Sequence, residues 1–262
     1  MNARHMKCLS AACVMMCAAA MPFLHGTLHA ASRTTPEGDA NQWFLPLTPG
    51  TYWVYTGTVT SSSNESNAVQ DVTTHVSITT KVEKVYQKPE LTAAVISGYP
   101  GDLDWSNGQV EPKPSLLIET RKHEVFLNAL PPDFDYAKLE KDAAALSKLM
   151  PEDNLLFRWP LKRGMKFGDA ESVKREDDSY CWVVLEERRS KLESIKGLSP
   201  RTVDSFLLRY ATNPDNTEME ISPGIGILSY EYHHHGTTAD TSLHLVEFHA
   251  GQAVGASTGG GR

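Results

Sequence analysis

Beyond residue 17 the chain holds a single cysteine, Cys181; the other three, Cys8, Cys13 and Cys17, lie near its start. A disulfide framework needs pairs, so the body of the chain has none. Basic charge is also scarce: 25 Lys and Arg stand against 32 Asp and Glu, a net charge of -7, and no basic cluster occurs. Binding to nucleic acid rests on phosphate neutralisation, so that class is excluded. No apolar run after Leu24 approaches the ~20 residues a helix needs to span a bilayer. The nucleophile elbow Gly-x-Ser-x-Gly, the phosphate-binding Gly loop and the dinucleotide fingerprint are all missing. No catalytic residue and no cofactor is indicated.

What the chain does have begins with a secretory signal over residues 1–30. Arg4 and Lys7 make a basic start, Cys8 to Leu24 is apolar, and "LHAA" supplies small residues for cleavage near Ala30 or Ala31. The protein is therefore expected to be exported, to the periplasm or the extracellular space. Lipid anchoring is the lesser option, because Ser10 stands three before Cys13 and Met16 directly precedes Cys17. Residues 31–42 read as a linker, 43–249 as a single β-rich domain, and 250–262, which includes "GQAVGASTGGGR", as a flexible tail. Removal of the signal takes two basic residues and no acidic ones, which leaves an acidic exported chain of roughly 230 residues. Such a length buries about 70% of the surface of its unfolded chain.

The body is mostly strand. "TYWVYTGTVT" (51–60), "DVTTHVSITTKVEKVY" (71–86), "LTAAVIS" (91–97), "SLLIET" and "EVFLN" (115–128), "SYCWVVLEER" (179–188), "VDSFLLRYA" (203–211) and "GILSYEYHH" (226–234) are rich in β-branched and aromatic residues between turn formers. One helix is expected near 135–150, where Leu139, Ala143, Leu146 and Met150 recur at helical spacing before Pro151. Strands joined by turns with one isolated helix give a mainly β fold: an antiparallel curled sheet, an open barrel or a sandwich.

An internal echo crosses the domain. "FLPLTPGTYW" (44–53) and "RWPLKRGMKF" (158–167) both read Pro-Leu, two residues, Gly, two residues, aromatic. Leu47 and Leu161 can anchor the approach, Gly50 and Gly164 can supply a positive-φ turn, and Trp53 and Phe167 enter the next strand. With "SPGIGILSYEY" and "HLVEF" near the end, these boxes make the chain resemble a loosely defined group of uncharacterised bacterial secreted proteins and lipoproteins. The group carries no assigned reaction; the resemblance implies a compact envelope domain and no catalytic residue.

Candidate chemistry is sparse. If "GILSYEYHHH" is a strand, Glu231, His233 and His235 share one face, and His233 with His235 can converge on zinc or copper. The competing reading is a solvated hairpin: "GTTAD" turns, "SLHLVEF" returns, Tyr230 and Tyr232 face inward, and the imidazoles face solvent, repelling one another once protonated. "GDLDWSNG" places Asp102, Asp104 and Ser106 like the start of a calcium loop, but Asn107 and Lys113 stand where that loop needs Gly and Glu. Cys181, in "SYCWVV", reads as a buried small hydrophobe.

The favoured reading is a non-enzymatic envelope protein, a binding or structural module with Trp53, Tyr55, Trp182, Tyr230 and Tyr232 as core. A carrier of an apolar ligand in a half-barrel cavity is the alternative, since a cavity wall and a filled core use the same residues. A metal-binding protein, or a hydrolase using two distant carboxylates, completes the set.

Overall fold

The computed structural model describes residues 44–63, 70–103, 108–109, 113–131, 133–141, 143–234 and 239–252, all within a compact unit that begins at Asn41. Twelve strands follow in order: β1 Tyr52–Ser63, β2 Gln70–Lys88, β3 Leu91–Ser97, β4 Ser115–Thr120, β5 Glu124–Ala129, β6 Leu155–Arg158, β7 Lys166–Phe167, β8 Trp182–Leu192, β9 Arg201–Ala211, β10 Asp215–Ser222, β11 Gly226–His234 and β12 Ala239–His249. They form one antiparallel sheet in the order β6-β5-β4-β3-β2-β1-β12-β11-β10-β9-β8-β7. The sheet curls into a nearly closed barrel, which resolves the barrel-or-sandwich alternative in favour of the barrel. No helix among the described residues is long and apolar enough to cross a membrane.

The expected helix is present as two short pieces, α1 Tyr136–Lys141 and α2 Ala143–Ser147. Both use the anticipated apolar side: Leu139 and Leu146 are fully buried. They answer a need of the sheet. Leu116 and Ile118 point away from Leu117 and Glu119 on β4, yet all four are buried, so this part of the barrel requires an outer cover. Lys84 of β2 reaches the Glu140 carboxylate at 2.7 Å and Lys88 its backbone carbonyl at 2.8 Å, fastening α1 over the outside.

Two strands escape the sequence reading, β6 and β10. In "DNTEMEIS" only Met219 and Ile221 are large and apolar, and Pro214 just before them reads as a loop. Alternation explains the strand nonetheless. Met219 pairs with Leu208 and Ile221 with Phe206 inside the barrel, while Glu218 and Glu220 face out.

The echo is realised as one backbone device used twice. Thr51 N–H donates to Thr48 O and Met165 N–H to Lys162 O, each closing a four-residue turn whose third residue is the glycine. Gly50 and Gly164 have φ of +82° and +83°, the conformation a type II turn demands there. Each turn then grips a valine on the strand neighbouring the one it opens: Val82 N–H of β2 donates to Thr51 O, and Val184 N–H of β8 to Met165 O, both at 2.9 Å. Register shifts follow at Val82/Lys84 against β3 and at Val184/Glu186 against β9. Leu47 and Leu161 anchor the approaches, and Trp53 and Phe167 are buried beyond them. The barrel is thus two meanders, β1–β6 and β7–β12, each opened by the same turn.

The second shift breaks the simple alternation of the segment that enters β8. Cys181 and Val183 lie on one side, but the bulge displaces Leu185 from that series and leaves it half-buried. Cys181 is 0% exposed, as a small buried hydrophobe should be, and burial raises its thiol pKa.

Candidate functional site

The two junctions between the meanders differ. At one, β1 pairs with β12 from Tyr52↔His249 to Ser61↔Ala239, a full ladder. At the other, β6 has four residues and β7 two, and the two strands approach each other without pairing. β7 ends at Phe167, whose partner on β8 is Trp182, and across the unpaired gap Leu156 of β6 borders the same space as Trp182.

Behind that gap the lumen holds two connected spaces. The deeper is a slot of about 40 Å³ with an apolar lining that includes Leu47, Trp53, Ile96, Leu117, Phe157 and Met219. The outer is a vestibule of about 200 Å³. Tyr99 and Leu156 border both. The barrel is therefore filled in its middle and hollow at the open junction.

Seven elements build the vestibule, with Leu127 of β5 and Leu156 of β6 adding apolar side chains to five that carry rings or polar groups. Tyr99 arrives on the 3-10 turn Pro100–Asp102, which is folded into the lumen and held by Tyr99 N–H donating to Asp102 Oδ2 at 3.0 Å. Trp182 opens β8, with Tyr210 behind it at 5.3 Å between ring centroids. Tyr230 comes from β11 and Thr217 from β10. Asp153 and Asn154 come from the 3-10 turn Glu152–Asn154 ahead of β6, and Asn154 Nδ2 donates to Asn128 Oδ1 at 2.7 Å. Burial pushes the Tyr230 phenol up to about 12 and raises Tyr99 too, so both rings stay neutral hydroxyl donors.

Sequence reasoning named Tyr230 and Trp182 as core or, in the carrier alternative, as cavity wall, and missed Asp153, Asn154 and Thr217. Those three lie in the segments that carry β6 and β10, where the alternating signal is weak. Trp53, Tyr55 and Tyr230 are buried as anticipated, whereas Trp182 and Tyr232 are half-buried.

The histidine hairpin has the expected ladder: β11 ends at His234, β12 starts at Ala239, and His233 pairs with Asp240. Glu231 and His233 share the outer face; His235 lies outside the described residues. His233 Nδ1 is 2.7 Å from Asp240 Oδ1, and its Nε2 is 3.8 Å from Glu231 Oε2. His234, on the inner face, meets Asp215, which also accepts from the Tyr232 hydroxyl at 2.9 Å. His233 and His234 thus each lie beside a carboxylate, of Asp240 and Asp215, instead of standing free in solvent. Among the described residues no group of three or more His, Cys, Asp or Glu is set to hold a metal. Of the calcium-loop residues, Asp102 serves the Tyr99 turn, and Asp104 and Ser106 lie outside the described residues.

One buried carboxyl stands apart from the vestibule. Glu119 is 0% exposed and accepts from the backbone N–H of Phe44 and, at 2.9 Å, of Leu45. Burial raises it to about 7 against the pull of those two donors. It fastens the approach to the first turn onto β4.

No family model matches the chain, and no curated protein matches it in sequence. Two solved structures are similar to it. One is a "putative exported protein with YmcC-like fold" from Bacteroides fragilis, 10% identical, covering 79% of this chain and 99% of its own, with a TM-score of 0.37. The second is a "putative lipoprotein" from Parabacteroides distasonis, 13% identical, with the same coverages and a TM-score of 0.34.

Proposed function

We propose that this chain is an exported, non-enzymatic binding module of the cell envelope, and that its ligand enters the vestibule at the open junction. The observation that carries the reading is the contrast inside one barrel: the middle of the lumen is filled by core side chains, while the junction end keeps about 200 Å³ lined by three aromatic rings and a few polar groups. Its lining mixes rings and leucines with a carboxylate, an amide and hydroxyls, groups able to fix the orientation of a small polar molecule. Export rests on the basic start, apolar run and small-residue cleavage site of residues 1–30.

A carrier of a large apolar ligand fits less well. Sites for drug-sized ligands run to ~300–1,000 Å³, and the apolar slot offers about 40 Å³. A fragment screen by heteronuclear NMR on the mature chain tests the assignment. Shifts should cluster at Trp182, Thr217 and Tyr230. Hits confined to the Glu231–His233 face, or a lipid found in the lumen of the purified protein by native mass spectrometry, would overturn it.

A further inference from the structure

We propose that the vestibule selects an organic ammonium cation, a quaternary or methylated amine, held by its aromatic rings and neutralised at its rim by Asp153. The inference rests on the binding reading above and names the ligand class for the same site.

Three features converge. First, Tyr99, Trp182 and Tyr230 come from three different elements and line one space. Aromatic faces carry negative charge density, and several around one cavity favour a diffuse cation over a neutral molecule of equal size. Tyr210 packs behind Trp182 and fixes the indole. Second, the one charged group on the lining among the described residues is an acid. Asp153 presents a carboxylate. Asn154 spends one of its two amide hydrogens on Asn128 and keeps its carbonyl oxygen as an acceptor. Third, no Lys or Arg lines the vestibule among the described residues. An anion would meet Asp153 uncompensated. A purely apolar ligand would gain nothing from it.

Size agrees. A water needs ~10–15 Å³ on this measure, so about 200 Å³ takes on the order of ten waters, the bulk of a small organic cation. Strongly hydrated inorganic cations gain little from such rings, because their charge is compact and their water tightly held.

The test uses the mature protein and two probes of one shape, choline and its uncharged isostere 3,3-dimethylbutan-1-ol, by isothermal titration with NMR mapping. Choline should bind with shifts at Trp182 and Tyr230, and the isostere should bind about tenfold more weakly. Trp182→Leu and Asp153→Asn should each weaken choline several-fold; Asp153 sits on an exposed turn, so its variant should keep the wild-type melting temperature. Equal affinity for the two probes would overturn the cation inference and leave the vestibule as an apolar site. Choline binding unchanged in both variants would place the cation elsewhere and overturn it as well. If neither probe binds, the inference falls, and the fragment screen then decides by itself whether the vestibule reading survives.

Discussion

The two turns of the echo share a backbone and lead to opposite outcomes. After Gly50 the chain runs into twelve residues of β1, which pair on both sides and lock the first meander to the second through β12. After Gly164 it runs into two residues of β7, which pair only with β8. The first junction is zipped and its interior filled; the second is open and its interior hollow. The candidate site thus lies where the internal likeness of the two meanders fails. A repeated device supplies stability at one copy, and the truncation of its strand at the other leaves room for a ligand.

The zipped junction can be broken at Gly57. A Cβ added there would lie 1.8 Å from the carbonyl oxygen of Ser242 on β12. The obstacle is backbone, which cannot turn aside as a flexible side chain could. Gly57→Ala should therefore cost on the order of 4 kcal/mol, read as a fall in denaturant midpoint and loss of amide protection along β1 and β12. A loss of less than ~1 kcal/mol would mean that the ladder between the meanders is not what closes the barrel.

The approaches to the two turns differ electrostatically, because only the first is held by a buried carboxyl. Glu119 titrates at about 7 in the fold against an ordinary 4.5, so the folded state prefers the protonated acid. Its contribution is complete below pH 4.5, declines as pH rises, and is gone once pH passes about 7. Over that window the fold should lose roughly 3 kcal/mol from this group. His123, with Nδ1 3.8 Å from Glu119 Oε1, is the one titratable neighbour among the described residues facing it. Glu119→Gln should flatten the melting temperature against pH between 4.5 and 7, although the amide offers one acceptor to two N–H donors and lowers stability throughout. An unchanged slope in the variant would assign the pH dependence elsewhere.

How much of this could be read from sequence follows from which forces act locally. β3 and β11 match their sequence limits because β-branched and aromatic residues crowd them between turn formers. β10 was invisible because three of its outward positions are Asn216, Glu218 and Glu220, polar as the outside of a barrel requires, and its inward signal reduces to Met219 and Ile221. The echo was legible because a positive φ has few solutions, and glycine is the first of them. The vestibule was not. Tyr99, Asp153, Trp182, Thr217 and Tyr230 stand on five elements, and only the pairing order of the sheet brings them together. The histidine run drew attention through composition, yet His233 and His234 are spent on Asp240 and Asp215.

The smallest expected effect is also the most direct measure of the likeness between the two turns. At both Gly50 and Gly164 an added Cβ would meet nothing within 4 Å, so alanine introduces no clash. What it introduces is conformational cost alone, since an L side chain rarely adopts φ near +82°. Gly50→Ala and Gly164→Ala should each destabilise by about 1 kcal/mol, and by the same amount within ~0.5 kcal/mol. They should separate in a second measurement. The first turn feeds the zipped junction and stands away from the vestibule, so Gly50→Ala should leave ligand affinity alone. The second precedes β7 and the gap beside Trp182, so Gly164→Ala should shift the Trp182 indole resonance and weaken binding at equal stability. Clearly unequal stability losses would show that the two turns are alike in dihedral angle only. Equal losses with identical effects on Trp182 would show that the open junction is set by the length of β7 and not by the turn before it.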